Sequence, residues 1–188
     1  LLINRREKYQ KVPEQVLVLV AAVDVQDDRF ELEVIGYGEG EESWGIDRRV
    51  IYGDPGHRQI WDDLDAALSE KYETEDGATL HIAATCIDSG GHYTKQTYDF
   101  CKGKQMRRIF AIKGVAGEGR AIVTAPSAKR SGRDPRQVPL FTVGVDEAKR
   151  LIYGRLKIAE AGPGYCHFPM QYDEEYFAQL TAEKIVTR

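Results

Sequence analysis

"VLVLVAAVDVQDDRFELEVIGYG", residues 16–38, decides the fold. From Val16 to Val25 nearly every side chain is apolar, which reads as a buried strand. One carboxylate, Asp24, interrupts the run. A charge buried there is costly unless a partner offsets it, so Asp24 calls for a cation or a ligand. After the polar turn "QDD", Phe30, Leu32 and Val34 alternate with Glu31 and Glu33, the period of two of a half-buried strand. "GEGEES" supplies the next turn, and Trp44, Ile46, Val50 and Tyr52 mark a third strand. Three consecutive strands joined by short turns make an antiparallel meander.

Outward from the meander, Ile60, Trp61, Leu64, Ala67, Leu68 and Tyr72 fall on one face of a helix written "HRQIWDDLDAALSEKYE". "TLHIAATCIDSGG" is an apolar strand ending in Asp88 and two glycines. "HYTKQTYDFCKGK" reads as a helix and "RRIFAIKGV" as a strand. From Ala116 to Pro139, glycines, prolines and basic residues predict an extended excursion. "LFTVGVDEAKRLIYGRLKI" then gives a strand running into a helix with Asp146 near its start. "AGPGYCHFP" is a turn and short strand, and "DEEYFAQLTAEKIVTR" opens as a helix, with Asp173, Glu174 and Glu175 at its beginning. Residues 1–13 are polar, end at Pro13 and read as a linker from an upstream domain. The expected class is therefore α/β. Its mixed sheet has an antiparallel three-strand meander followed by parallel strands with right-handed crossover helices, the order of an RNase H-like domain over residues 14–188.

Composition narrows the function. At 188 residues, 42% apolar and 30% charged, the chain fits one domain with its own core. No apolar run is long enough to cross a bilayer and no secretory pattern opens the chain, so membrane function is not expected. Cys86, Cys101 and Cys166 contain no C-x-x-C pair, which leaves reduced thiols rather than a zinc knuckle or disulfide framework. The net charge of −4 argues against a generic nucleic-acid binder. Between Lys102 and Arg136, however, ten Lys and Arg face only Glu118 and Asp134, and such a strip on an acidic body suits phosphates.

Asp88 is a candidate companion for Asp24, beside the common alternative of a single buried acid that caps a turn or pairs with an Arg. If its strand lies parallel to and beside the first, the two carboxylates face one another, and two acids at close quarters repel. A divalent cation resolves the conflict. Mg²⁺ binds through a few carboxylates while keeping waters and substrate phosphate oxygens, and two such ions support phosphodiester cleavage.

"VDVQDDRFELEVIGYGEGEESWGID", "VIYGDP", "IDSGGHYTKQTYDFC", "FAIKG", "VGVDEAKRLIYGRL" and "GPGYCHFP" together resemble the nuclease portion of the lambda-like family of phage large terminase subunits. The resemblance runs from about Pro13 to Glu183. It implies a metal-dependent endonuclease that cuts concatemeric viral DNA during packaging in the cytoplasm of a bacterial host. It implies that Asp24 and Asp88 are the catalytic metal ligands, for Mg²⁺ or Mn²⁺, in a site of two ions. It also implies double-stranded DNA, a small terminase subunit and a portal as partners, with an ATPase domain upstream in the same polypeptide. No G-x-x-x-x-G-K-[ST] loop occurs here, so no nucleotide site is expected in this chain. Nor does any motif like the family's later acidic "NEALD" helix, so the last C-terminal element and a third ligand are expected beyond Arg188. Within the chain Asp146 is the best third acid, although a helix N-cap or first-turn acid is the simpler explanation and is preferred. Lys113 is a candidate catalytic residue and phosphate contact; Lys129, Arg130, Arg133 and Arg136 are candidate DNA contacts. His92, just beyond "DSGG", is placed to touch a phosphate or water near the metal, although a turn histidine with no chemistry is the preferred reading. The competing reading is a non-catalytic RNase H-like module that binds DNA or a packaging partner. A Holliday-junction resolvase on the same sheet would share the chemistry but not the longer sequence blocks.

Overall fold

A computed structural model of the chain describes residues 2–126 and 138–182. Its strands are β1 (Arg6–Glu7), β2 (Val18–Val25), β3 (Arg29–Tyr37), β4 (Ser43–Tyr52), β5 (Lys71–Glu73), β6 (Thr79–Asp88), β7 (Ile109–Val115), β8 (Val123–Thr124), β9 (Leu140–Gly144) and β10 (Cys166–Pro169). Its helices are α1 (Arg58–Ala67), α2 (Thr94–Cys101), α3 (Val145–Arg155) and α4 (Glu174–Leu180). The sheet order is β1-β10-β4-β3-β2-β6-β7-β9-β8, with β5 pairing β6.

The meander forms as its alternation predicts. β2 and β3 pair antiparallel from Val18↔Tyr37 to Val25↔Phe30, closed by Gln26 N–H donating to the Arg29 carbonyl at 3.0 Å. β3 and β4 are likewise antiparallel. β6 then lies parallel to β2, β7 parallel to β6, and β9 parallel to β7. This is the mixed, RNase H-like sheet expected from the element order.

One face of the sheet carries the main core. Leu19, Ala21 and Val23 of β2, Phe30, Leu32 and Val34 of β3, Ile87 of β6, and Ile109 and Ala111 of β7 pack against Ile60, Trp61, Leu64 and Ala67 of α1 and Cys101 of α2. Trp61 fills the centre, 4.6 Å from the Phe30 ring and 5.1 Å from Phe100. Its indole N–H is satisfied by the Pro55 carbonyl at 2.8 Å. Each large apolar side chain fully buried in such a layer contributes about 1.5–3 kcal/mol. A smaller cluster of Phe168, Tyr172 and Phe177 gathers Leu2, Ile3, Leu156 and Tyr176 beside α3 and α4.

Two boundaries differ from the sequence reading. The first helix stops at Ala67, and Lys71–Glu73 forms β5 instead of a last helical turn. The reason lies just downstream: Gly77 adopts φ +86° and the Asp76 carboxylate accepts the Ala78 N–H at 3.1 Å. This turn folds Tyr72 back onto Leu80 of β6. Residues 1–13 are also not a free linker. β1 pairs parallel with β10, and Val12 is buried. The Arg5 guanidinium donates to Tyr165 Oη and to the carbonyls of Leu156 and Cys166 at 3.0–3.2 Å, while lying over the Tyr165 ring. His167 holds Glu7 at 2.7 Å through Nδ1 and Glu42 at 2.8 Å through Nε2, its ring stacked on Trp44. Polar residues were read as linker because their partners lie some 160 positions away.

Candidate functional site

Strand alternation settles where Asp24 points. Leu19, Ala21 and Val23 are buried, whereas Val18, Ala22 and Asp24 are exposed. The expectation of a buried charge is therefore corrected. β2 is apolar on both faces, but only its odd-numbered face meets the core, and Asp24 belongs to the other. The acid needs no cation to survive there; it is available to one.

Asp88, half-buried, ends β6. The register Val23↔Ile87 places both of those residues in the core. One step further along the parallel strands, Asp24 and Asp88 emerge side by side on the opposite face, on backbones about 4.8 Å apart. On the other flank of Asp24 stands its antiparallel partner Glu31. Like charges directly opposite one another are unfavourable. Here Arg29 at 3.0 Å and Arg48 at 3.7 Å occupy the Glu31 carboxylate. Glu31 and its arginines were missed in the sequence, although the two-residue turn at Asp27–Asp28 fixes the register that opposes Glu31 to Asp24.

Each of the paired acids engages one oxygen locally. Gln26, two residues on and on the same face, donates its amide to Asp24 Oδ2. Asp88 Oδ1 accepts the Gly90 N–H at 3.0 Å. Ser89 anchors that turn, its N–H and hydroxyl both donating to the Ile112 carbonyl at 2.9 and 2.7 Å. Thr94 closes it with bonds to the carbonyls of Ser89 and Gly91. The "SGG" turn crosses above the end of β2, where a side chain on Gly91 would touch the Val25 carbonyl.

The other candidates are distributed differently. Lys113 is exposed near the carboxyl end of β7, but it alternates with Ile109 and Ala111 and so belongs to the face opposite the carboxylates. Asp146 lies in the first turn of α3, and its Oδ2 accepts the Gly117 N–H at 2.9 Å. Beside it, the Glu147 carboxylate takes the Gly119 N–H at 3.0 Å. That bond, followed by Arg150, holds Glu147 below the usual carboxylate range. These two acids brace the glycine loop from the start of α3, just past the end of β9, which lies two strands away from the β6 that carries Asp88. Lys129, Arg130, Arg133 and Arg136 lie outside the described residues. The rest of the basic run is divided. Lys104 and Arg107 sit before β7, at the far end of the sheet, where Arg107 bonds Asp65 of α1 at 2.8 Å. Seven residues of β7, about 20 Å, separate them from the carboxyl ends that carry Asp24 and Asp88. A continuous strip along Lys102–Arg120 does not form. Among the described residues, no group of three or more His, Cys, Asp or Glu side chains is arranged to hold a metal ion.

The class follows from the sheet: an RNase H-like α/β domain with two acids side by side at the carboxyl ends of its central parallel strands. The chain belongs to the family described as terminase large subunit gpA, endonuclease domain, which it matches over residues 1–188. It is similar to the terminase large subunit of Escherichia phage lambda, 35% identical over 193 residues that cover 98% of this chain and 30% of that protein. It is also similar to the terminase large subunit of Enterobacteria phage P21, at 34% identity over 93% of this chain and 27% of that protein. The chain thus spans less than a third of the length of these relatives. No solved structure gives a significant match.

Proposed function

We propose that this domain is the metal-dependent endonuclease that cuts concatemeric viral DNA during packaging, hydrolysing phosphodiester bonds at Asp24 and Asp88. The observation that carries this reading is the emergence of two carboxylates, from adjacent parallel strands, on an exposed face that a DNA backbone can reach. Their chemistry fits Mg²⁺ or Mn²⁺: hard oxygen donors, few in number, leaving room for waters and phosphate oxygens. When bound, such ions activate water and stabilise the leaving oxygen, and two ions are expected in the complete site. Asp24 and Asp88 hold the metal, Gln26 orients Asp24, and the Gly90 amide orients Asp88. Asp146 is assigned to the glycine loop rather than to the metal. Lys113, on the opposite face of the sheet, is not assigned to the site; Lys129, Arg130, Arg133 and Arg136 add phosphate contacts on the ground of their charge.

The same reading supplies the partners: double-stranded DNA, an ATPase domain in the same polypeptide, a small terminase subunit that chooses the site, and the portal, all in the host cytoplasm. Among the described residues no helix is long and apolar enough to cross a membrane. The test is Mn²⁺-dependent nicking of supercoiled plasmid by the protein at its full natural length, beside its Asp24→Asn and Asp88→Asn variants. Nicking that disappears in both variants is expected. A wild-type protein that binds plasmid but never nicks it would instead make the domain a non-catalytic binding module.

A further inference from the structure

The loops that follow the two carboxylates meet. Asp27, three residues after Asp24 in the β2–β3 turn, lies 3.2 Å from Nδ1 of His92, four residues after Asp88. The next residue, Tyr93, donates its hydroxyl to Asp54 Oδ1 at 3.3 Å, so the loop is held at the imidazole and again one residue on. Three residues of extended chain reach about 10 Å, which places the His92–Asp27 pair at the rim of the Asp24–Asp88 site. The His92 side chain is 87% exposed. A carboxylate on Nδ1 fixes the ring's orientation and leaves Nε2 for an external partner, the arrangement that equips histidine for proton transfer.

We infer that His92, oriented by Asp27, is the general acid of the proposed cleavage; the inference rests on the endonuclease reading. As the oxygen of the attacking water bonds to phosphorus, the P–O3′ bond breaks and its electron pair goes to O3′. The Nε2–H proton of the imidazolium passes to that oxygen, giving a free 3′-hydroxyl. The water's proton leaves to solvent, from which the imidazole is reprotonated. His92 is then a catalytic residue that touches the leaving oxygen, and Asp27 a positioning residue that acts through it.

A sulfur leaving group needs no proton, which gives the test its specificity. The protein at full natural length, its His92→Ala and Asp27→Asn variants, and Mn²⁺ are used with two duplexes, carrying oxygen or sulfur at the 3′-bridging position of one marked linkage. On the oxygen duplex His92→Ala should cleave about 100-fold more slowly, the lower end of what general acid catalysis contributes. Asp27→Asn should lose about tenfold, by the weaker effect of losing orientation alone. On the sulfur duplex both should return to within a few-fold of wild type. A second readout needs no turnover. In the Asp24→Asn protein, duplex DNA should shield His92 from carbethoxylation, while His81, exposed at the far end of β6, stays reactive. Equal losses on both duplexes, no loss on the oxygen duplex, or an unshielded His92 would each overturn the inference while leaving the nuclease in place. A wild-type protein that cleaves neither duplex would remove the endonuclease reading and this inference together.

Discussion

Replacing Asp24 by Asn should leave the fold intact and slightly more stable, because the charge stands among like charges at a water-exposed edge. Asp24 is flanked by Asp88 on one side and by Glu31 on the other, with cross-strand side chains about 5 Å apart. Two unit charges at that distance in water-like surroundings repel by roughly 0.8 kcal/mol. Salt reduces this further, and Arg29 and Arg48 already offset Glu31. Asn retains an oxygen to accept the Gln26 amide, so little is lost in exchange. A net gain of about 0.5–1 kcal/mol follows, equivalent to a Tm rise of roughly 1–4 °C for a chain of this size. The assay is thermal unfolding with and without Mn²⁺. In wild type, metal at ten times its Kd adds about 1.4 kcal/mol to stability; in Asp24→Asn that increment should vanish. A variant that melts several degrees below wild type, or that keeps the full Mn²⁺ increment, would refute the placement of Asp24 as an exposed metal ligand.

Three further outcomes follow from contacts elsewhere. Glu147 is held below the usual carboxylate range, so the support it gives the glycine loop is complete above the unfolded carboxylate value and is lost as pH falls through its own lowered one. Hydrogen exchange of the Gly119 amide, corrected for its intrinsic rate, should therefore speed up in acid for wild type, and lose that dependence in Glu147→Gln. Gly45→Ala would set a methyl 2.6 Å from Tyr172 Oη and 2.8 Å from its ring. Overpacking of this kind costs about 1–3 kcal/mol, and a Tm unchanged from wild type would count against the tight seat of Tyr172. His167→Gln cannot hold Glu7 and Glu42 at once, so trypsin should cut after Lys8 faster than in wild type.

What the sequence revealed and what it withheld divide along physical lines. The meander was readable because alternation in β3 records its two faces directly. The parallel strands were readable because apolar runs alternate with helical periods. Asp24 and Asp88 stood out as acids ending such runs, and the wording around them carried the resemblance to the terminase family. The face that Asp24 occupies was misread, because β2 is apolar on both sides and its pattern alone does not say which side meets α1. The register would have: Val23, paired with Ile87, is the core residue. The N-terminal segment was opaque for another reason. Arg5, Glu7 and Tyr9 look like solvated residues until β10 supplies the Cys166 carbonyl and His167, and β4 the Gly45 carbonyl, that receive them.

The seating of β1 has a mechanical consequence. Its pairing with β10 is parallel, Arg6 beside Phe168 and Glu7 beside Pro169. Arg5 and His167 grip the segment at successive points along its length. A pull on the chain near Leu2, directed along β1, loads these contacts together in shear instead of unzipping them singly. Force entering at that end is passed straight into the sheet edge.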